Sequence, residues 1–302
     1  MITFFTTGKP FRGADGIIQR NALKSWKLLD PDVEVIVFGD EEGAAEVCAD
    51  YGLRHEPYIE RFGKIPYVNV MFARAQEIAR HNFLCFSNCD IIFLQDFREA
   101  FRKATMWRER FLLVSRRWDT DIREPIDFTG ADWAGDLRRL ALKSGVQRDG
   151  YWIDFFLFRK GLFLDMPPLM VGYCYWDNWM IWKACSMGIP VLDATSFLVP
   201  VHQNHGYSAE SQRIKGASSD ARSMWNLQSI GDKTHFLQID GATHRMAGNG
   251  CIHRRILRNN SRNALEAKRF LTYKLWLPVW HFLLAVTRPM RNRLGLTSKR
   301  LR

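Results

Sequence analysis

A chain of 302 residues with 47% hydrophobic content can bury one large core or two small ones. Its formal charge of +11 is concentrated at one end: residues 251–302 carry thirteen Lys and Arg against the single acid Glu266, so the preceding 250 residues are close to neutral. A neutral body argues against a nucleic-acid groove across the main domain. The six cysteines, at 48, 85, 89, 174, 185 and 251, form no CxxC pair, and several lie in apolar runs. Reduced, packed thiols and a cytosolic compartment are therefore expected. The first residues lack the basic start and long apolar core of a signal peptide and read as the first strand of a fold.

In chain order, residues 2–7 read as strand. Residues 13–29 are helical, with Ile17, Ile18, Ala22, Leu23 and Trp26 on one side. Residues 33–38 form a second strand ending at Gly39-Asp40. Residues 41–51 form a helix opened by acids and closed by Gly52, and a short strand follows near 53–56. Residues 68–81 are helical and lead into the central strand 83–86. The joint Ser87-Asn88-Cys89-Asp90 then precedes a further strand, 91–94. Such alternation predicts a mainly parallel sheet covered by helices on both faces, with ligands at the strands' carboxyl ends. Thr6, Thr7, Asp40, Asn88 and Asp90 fall at such ends, and Asn69 opens the following helix. Asn88 and Asp90 suit an Asx-type turn or a cation bridging a diphosphate. Neither a GxGxxG nor a GxxxxGK[ST] loop is present; Gly8-Lys9-Pro10-Phe11-Arg12-Gly13 is either a phosphate-approaching or a solvated loop.

Beyond residue 95, helices are expected at 97–106 and 132–144 and a strand at 111–115. The cluster Arg116-Arg117-Trp118-Asp119-Thr120-Asp121 reads as an exposed loop, with the border of an acceptor site as the alternative. Residues 152–159 read as a strand carrying one buried-type carboxylate, Asp154, which is either paired structurally or catalytic. Asp177 reads as the N-cap of a helix reaching about 187. Tyr175, Trp176 and Trp179 around it are platforms for sugar faces, and such surroundings raise a carboxylate toward the pKa of a base. His202 and His205, after a strand at 197–201, are polar loop residues or metal ligands.

A strand ending in Thr-Thr, a second ending in Gly-Asp, and Ser87-Asn88-Cys89-Asp90-Ile91 together resemble the GT-A-fold glycosyltransferases. The resemblance covers residues 1–210, with a donor half to about 95 and an acceptor half beyond. It implies a Rossmann-type, mainly parallel sheet and a nucleoside diphosphate sugar held with Mn²⁺ or Mg²⁺. Asn88 and Asp90 stand at the family's DxD motif, with Asn for the first acid. Thr6, Thr7, Asp40 and Asn69 are then donor-site residues, and Asp90 with His202 or His205 holds the metal. Asp177 is the candidate base for the acceptor hydroxyl and Asp154 the reserve. The acceptor is a glycan or lipid-linked hydroxyl, with no nucleic-acid partner. The alternatives are a sugar-nucleotide pyrophosphorylase and a non-enzymatic membrane-surface or nucleic-acid adaptor.

Residues 211–260 read as loop, short helix or lid, and 261–302 as a basic, amphipathic helical tail. Residues 275–287 carry no charge but contain Trp276, Trp280 and Phe282 between basic flanks. That run is shorter than the ~20 apolar residues of a bilayer span. An interfacial helix on an anionic leaflet is expected, placing the protein at the cytoplasmic membrane face; a helix packed on the domain is the alternative.

Overall fold

The computed structural model describes residues 1–205, 220–231 and 234–255. The tail and the centre of the expected lid lie outside them. The N-terminal third runs β1 (Ile2–Thr7), α1 (Gly13–Lys27), β2 (Glu34–Phe38), α2 (Ala44–Tyr51), β3 (Arg54–Glu56), the hairpin β4 (Arg61–Phe62) and β5 (Ile65–Pro66), α3 (Val68–Ile78) and β6 (Phe83–Ser87). Next come β7 (Ile91–Ile92), α4 (Gln95–Trp107), β8 (Leu112–Val114), β9 (Trp118–Thr120), α5 (Trp133–Ser144), β10 (Val146–Gln147) and β11 (Phe155–Arg159). The remainder supplies α6 (Trp176–Ser186), β12 (Val191–Asp193), β13 (Val201–Gln203), α7 (Ala221–Ser229), β14 (His244–Met246) and β15 (Ile252–Arg254).

The main sheet has nine strands in the order β15-β14-β12-β8-β11-β6-β1-β2-β3. It is the expected mixed, mainly parallel α/β sheet: β1 lies parallel to both β2 and β6, whereas β11 runs antiparallel between β6 and β8. Alternation along the strands fills both faces. Phe5, Phe86 and Phe158 pack with α3 and α6 on one side, and Phe4, Phe155 and Leu157 with α1 and α4 on the other. Each phenylalanine so buried contributes about 1.5–3 kcal/mol of hydrophobic free energy. Gly52 ends α2 with φ 60°, in the left-handed region that spares a side chain from strain.

The structure changes three sequence expectations, two of them through a second sheet, β10-β9-β13-β7. The strand after Asp90 is short, Ile91–Ile92, and belongs to this sheet. The Arg116–Asp121 cluster is not an exposed loop: Trp118–Thr120 is strand, and Arg117 and Asp119 are each 5% exposed. Within 208–260, expected to lack strands, β14 and β15 extend the main sheet.

The joint after β6 is fastened to α1 by buried polar contacts. The Trp26 indole donates to the Ile91 carbonyl at 2.8 Å and stacks on Phe4 at 5.2 Å. Gln203 donates to the carbonyls of Ile18 and Asp90 and accepts from Asn21 at 2.9 Å. Every one of these buried polar groups is satisfied by a partner, which gives the turn at Asn88 to Asp90 one placement.

Candidate active site

A cavity of about 690 Å³ opens where β1 and β6 end and β11 begins. Since β11 is antiparallel, its amino end meets the carboxyl end of β6. Phe155 pairs with Ser87, so Asp154 arrives beside Asn88. The second sheet brings the histidine: His202 pairs with Ile91 on one side and with Asp119 on the other. Residues facing each other across a ladder project on the same face, so His202 and Asp119 meet.

The result is a chain of contacts around Asp90. His205 Nε2 lies 3.3 Å and His202 Nε2 3.5 Å from Asp90 Oδ2. His202 Nδ1 lies 3.0 Å from Asp119 Oδ1. Asp119 also accepts from Arg117 Nε at 2.8 Å, and Arg117 Nη1 donates to Asp154 Oδ1 at 2.7 Å. Asn88 Nδ2 donates to that same oxygen at 2.7 Å. Arg117 also lies over the Trp152 ring, 4.9 Å from its centroid. Burial alone would raise Asp90, but the charge of His202 and the hydrogen bonds from both histidines hold it well below the usual carboxylate range. Burial would likewise lower His202; the charge of Asp90 and the bonds to Asp119 and Asp90 prevail and lift it to about 9.

The residues present fit a divalent cation. Ligand atoms of Asp90, His202 and His205 lie within 4.8 Å of one another, and Asp90 Oδ1 is buried with no hydrogen-bond partner among the described residues. One carboxylate and two imidazoles are a donor set for Mn²⁺-like ions. Asp119 behind His202 leaves the imidazole's Nε2 for the cation, as second-layer carboxylates do in metal sites.

Asp177 lines the same cavity. It is not the N-cap of α6. Tyr175 holds that position with φ 83°, and Asp177 sits inside the first turn, its Oδ1 accepting from the Asn178 amide at 2.9 Å. Burial first, and then the negative charge of Asp154, push Asp177 up to about 7. Asp154, which also lines the cavity, is paired: its Oδ1 accepts from Asn88 and Arg117. Trp176 and Trp179 are 4% and 3% exposed and pack in the core; Trp176 also borders the cavity, whereas Trp179 does not reach it. Tyr175 does line the cavity, joined by Tyr151, Tyr173 and Phe236, which the sequence did not single out. The Phe236 ring stands 6.0 Å from both Tyr151 and Tyr175, and its segment is fixed where Asn178 exchanges hydrogen bonds with the Leu237 backbone.

On the opposite wall, Thr7, Gly8, Lys9 and Gln19 line the cavity. The 8–13 loop is exposed at Lys9, Pro10, Arg12 and Gly13, yet its backbone is held at one point: Lys9 N donates to Gln19 Oε1 at 2.7 Å, and Gln19 Nε2 returns a bond to Lys9 O at 3.0 Å. A Cβ at Gly8 would stand 2.7 Å from that Gln19 oxygen, so a side chain there would have to displace the Gln19 amide that holds Lys9. Three predicted donor residues are not brought to the cavity. Thr6 is buried in β1. Gly39, at φ 108°, turns the chain, and Asp40 pairs with Arg61 at 2.9 Å with its side chain 72% exposed. Asn69 lies within α3, its Oδ1 buried without a partner among the described residues.

Neither a family model nor a curated protein matches the chain. Among solved structures, it is similar to glucosyl-3-phosphoglycerate synthase from Mycobacterium tuberculosis in complex with Mn²⁺, UDP and phosphoglyceric acid, at 13% identity and TM-score 0.46 over 77% of this chain and 79% of that one. A mycobacterial protein is similar at 15% identity and TM-score 0.47, over 77% of this chain and 75% of that one. A mannosyltransferase from Pyrobaculum calidifontis, in complex with GDP-Man and Mn²⁺, is similar at 14% identity and TM-score 0.44, over 71% and 60%.

Proposed function

We propose that this chain transfers a glycosyl group from a nucleoside diphosphate sugar to a hydroxyl of a glycan or lipid-linked acceptor. The observation that carries the reading is one cavity holding both three clustered potential cation ligands, Asp90, His202 and His205, and a separate carboxylate, Asp177, raised to about 7. Sugar transfer needs those two chemistries side by side: charge neutralisation for a departing diphosphate and a base for an incoming hydroxyl. A divalent cation bound by Asp90, His202 and His205 would supply Lewis-acid stabilisation of the diphosphate. Asn88 and Asp90 orient that end of the donor, while Thr7 and the Gly8 backbone contact the remainder. Asp177 accepts the acceptor's proton at its carboxylate. Tyr151, Tyr175 and Phe236 offer aromatic faces to the acceptor's rings and exclude water from the reacting hydroxyl.

The basic tail, with its tryptophan-bearing apolar run, supports a peripheral association with anionic membrane, where a lipid-linked acceptor resides. No helix among the described residues is long and apolar enough to cross a membrane.

The test is a panel of nucleoside diphosphate sugars assayed for transfer or slow hydrolysis and for calorimetric binding, with and without Mn²⁺. The expected outcome is selective binding of one base that Mn²⁺ strengthens, and loss of that gain in Asp90→Ala. A folded Asp90→Ala protein with undiminished transfer contradicts the assignment.

A further inference from the structure

Position 88 carries an amide where the resemblance has an acid, and the neighbours of Asn88 give a physical reason. Its Nδ2 donates to Asp154 Oδ1 at 2.7 Å, and its backbone N–H donates to the Asp154 carbonyl at 2.8 Å. That carboxylate is 6% exposed and already accepts from Arg117 at 2.7 Å. An acid at 88 would set two carboxylates at hydrogen-bond distance, in a site that also holds the half-buried Asp90 and the buried Asp119. Like charges so close and so shielded from water repel strongly. An amide held by its nitrogen, moreover, has a single polar side-chain atom left. Rotating it by half a turn would aim its oxygen at the Asp154 carboxylate, so the orientation is fixed. Asn88 lines the cavity, and the oxygen that Asp154 does not engage is the atom it has to offer there.

We propose that Asp154 is a positioning residue: it clamps the Asn88 amide so that the carbonyl oxygen serves the cavity as a neutral ligand for the cation. Amide at 88 and carboxylate at 154 are then an obligate pair. The ligand part rests on the glycosyl-transfer reading above; the pairing does not.

Full-length wild type, Asn88→Asp and the swapped double variant N88D/D154N are compared by thermal unfolding without ligand. Asn88→Asp should lower Tm by about 5 °C or more, and the swap should recover at least half of that loss. UDP and GDP are then titrated with and without MnCl₂. Asp154→Ala should cut the Mn²⁺-dependent gain in nucleotide affinity about tenfold and leave the metal-free affinity unchanged; Asp154→Asn, which keeps an acceptor for Asn88 and Arg117, should retain most of the gain. A merely structural Asp154 would shift Tm without touching that gain. The pairing is overturned if Asn88→Asp is as stable as wild type, or if the swap is no better than the single variant, including the case in which neither folds. The positioning role is overturned if Asp154→Ala keeps the full gain. A wild type that binds neither nucleotide with Mn²⁺ sinks the glycosyl-transfer reading and the ligand role together, and the ligand-free unfolding series still decides the pairing.

Discussion

Asp177 and Asp90 are both carboxylates in one cavity, yet their surroundings drive them in opposite directions. Asp90 is held ionised by two histidines, whereas Asp177 gains one backbone hydrogen bond and faces the charge of Asp154. A carboxyl raised from 3.8 to about 7 is protonated in the native state over a range where the unfolded chain has released its proton. Its contribution to stability is therefore complete below the unfolded value and is lost as pH rises through about 7. Asp177→Asn should accordingly gain Tm relative to wild type between about pH 5 and pH 8. In activity the order reverses: wild-type kcat should rise with pH through about 7. In Asp177→Asn that limb should vanish and kcat fall roughly 10²–10⁴-fold, with donor affinity little changed. An unaltered pH profile in that variant removes Asp177 from the base role. Asp119, one layer behind, has a different signature. Asp119→Asn takes the charge from His202 Nδ1 and should weaken Mn²⁺ binding by roughly 10–100-fold in a direct titration, while the nucleotide's metal-free affinity persists.

At the scale of elements, α6 begins under strain. Tyr175 is the non-glycine residue with positive φ among those described, and it stands where the helix presents Trp176 to the core and Asp177 to the cavity. A side chain in that region costs about 1 kcal/mol or more relative to glycine. Comparing Tyr175→Gly with Tyr175→Ala isolates this backbone cost, since both lack the ring. The glycine variant should be the more stable of the two by about 1 kcal/mol in denaturant unfolding, and both should lose acceptor affinity. Equal stability would place the strain elsewhere. The elements differ in how far they could be read from sequence. Most strands and helices of the first ninety residues were legible because each announces itself locally, through apolar period, a Gly cap or a Pro-marked turn; the two-residue strands Arg61–Phe62 and Ile65–Pro66 were too short to show a period. The joint at Asn88 to Asp90 was legible as a polar break in an apolar run. The carboxylate behind His202 was not, because Asp119 and His202 are eighty-odd residues apart and meet only through the register of a four-stranded sheet of very short strands. Nor could sequence tell that Trp179 belongs to the core alone while Tyr175 and Trp176 reach the cavity; the aromatic run carries no period that separates the faces.

At the scale of the whole molecule, charge and chemistry are separated along the chain. The described cavity residues all precede residue 240, whereas the surplus of Lys and Arg follows residue 250. Deleting 264–302 should therefore leave metal-dependent nucleotide binding intact while abolishing sedimentation with anionic vesicles. For the full chain, vesicle binding should weaken with salt, because each Lys or Arg near an anionic surface is worth up to about 1 kcal/mol and that attraction is screened. Full-length protein that ignores anionic vesicles at low salt contradicts the membrane role. The antiparallel placement of β11 has a consequence for the chain while it is being made. Phe83–Ser87 has β1 on one side and receives β11 on the other only after synthesis has passed residue 159. Until then a short, aromatic edge stands with its backbone N–H and C=O groups unpaired, the kind of edge that recruits other chains. Truncation between 95 and 155 should thus yield aggregates seeded at β6, and the strand that completes the cavity is also the one that keeps the nascent protein from sticking to its neighbours.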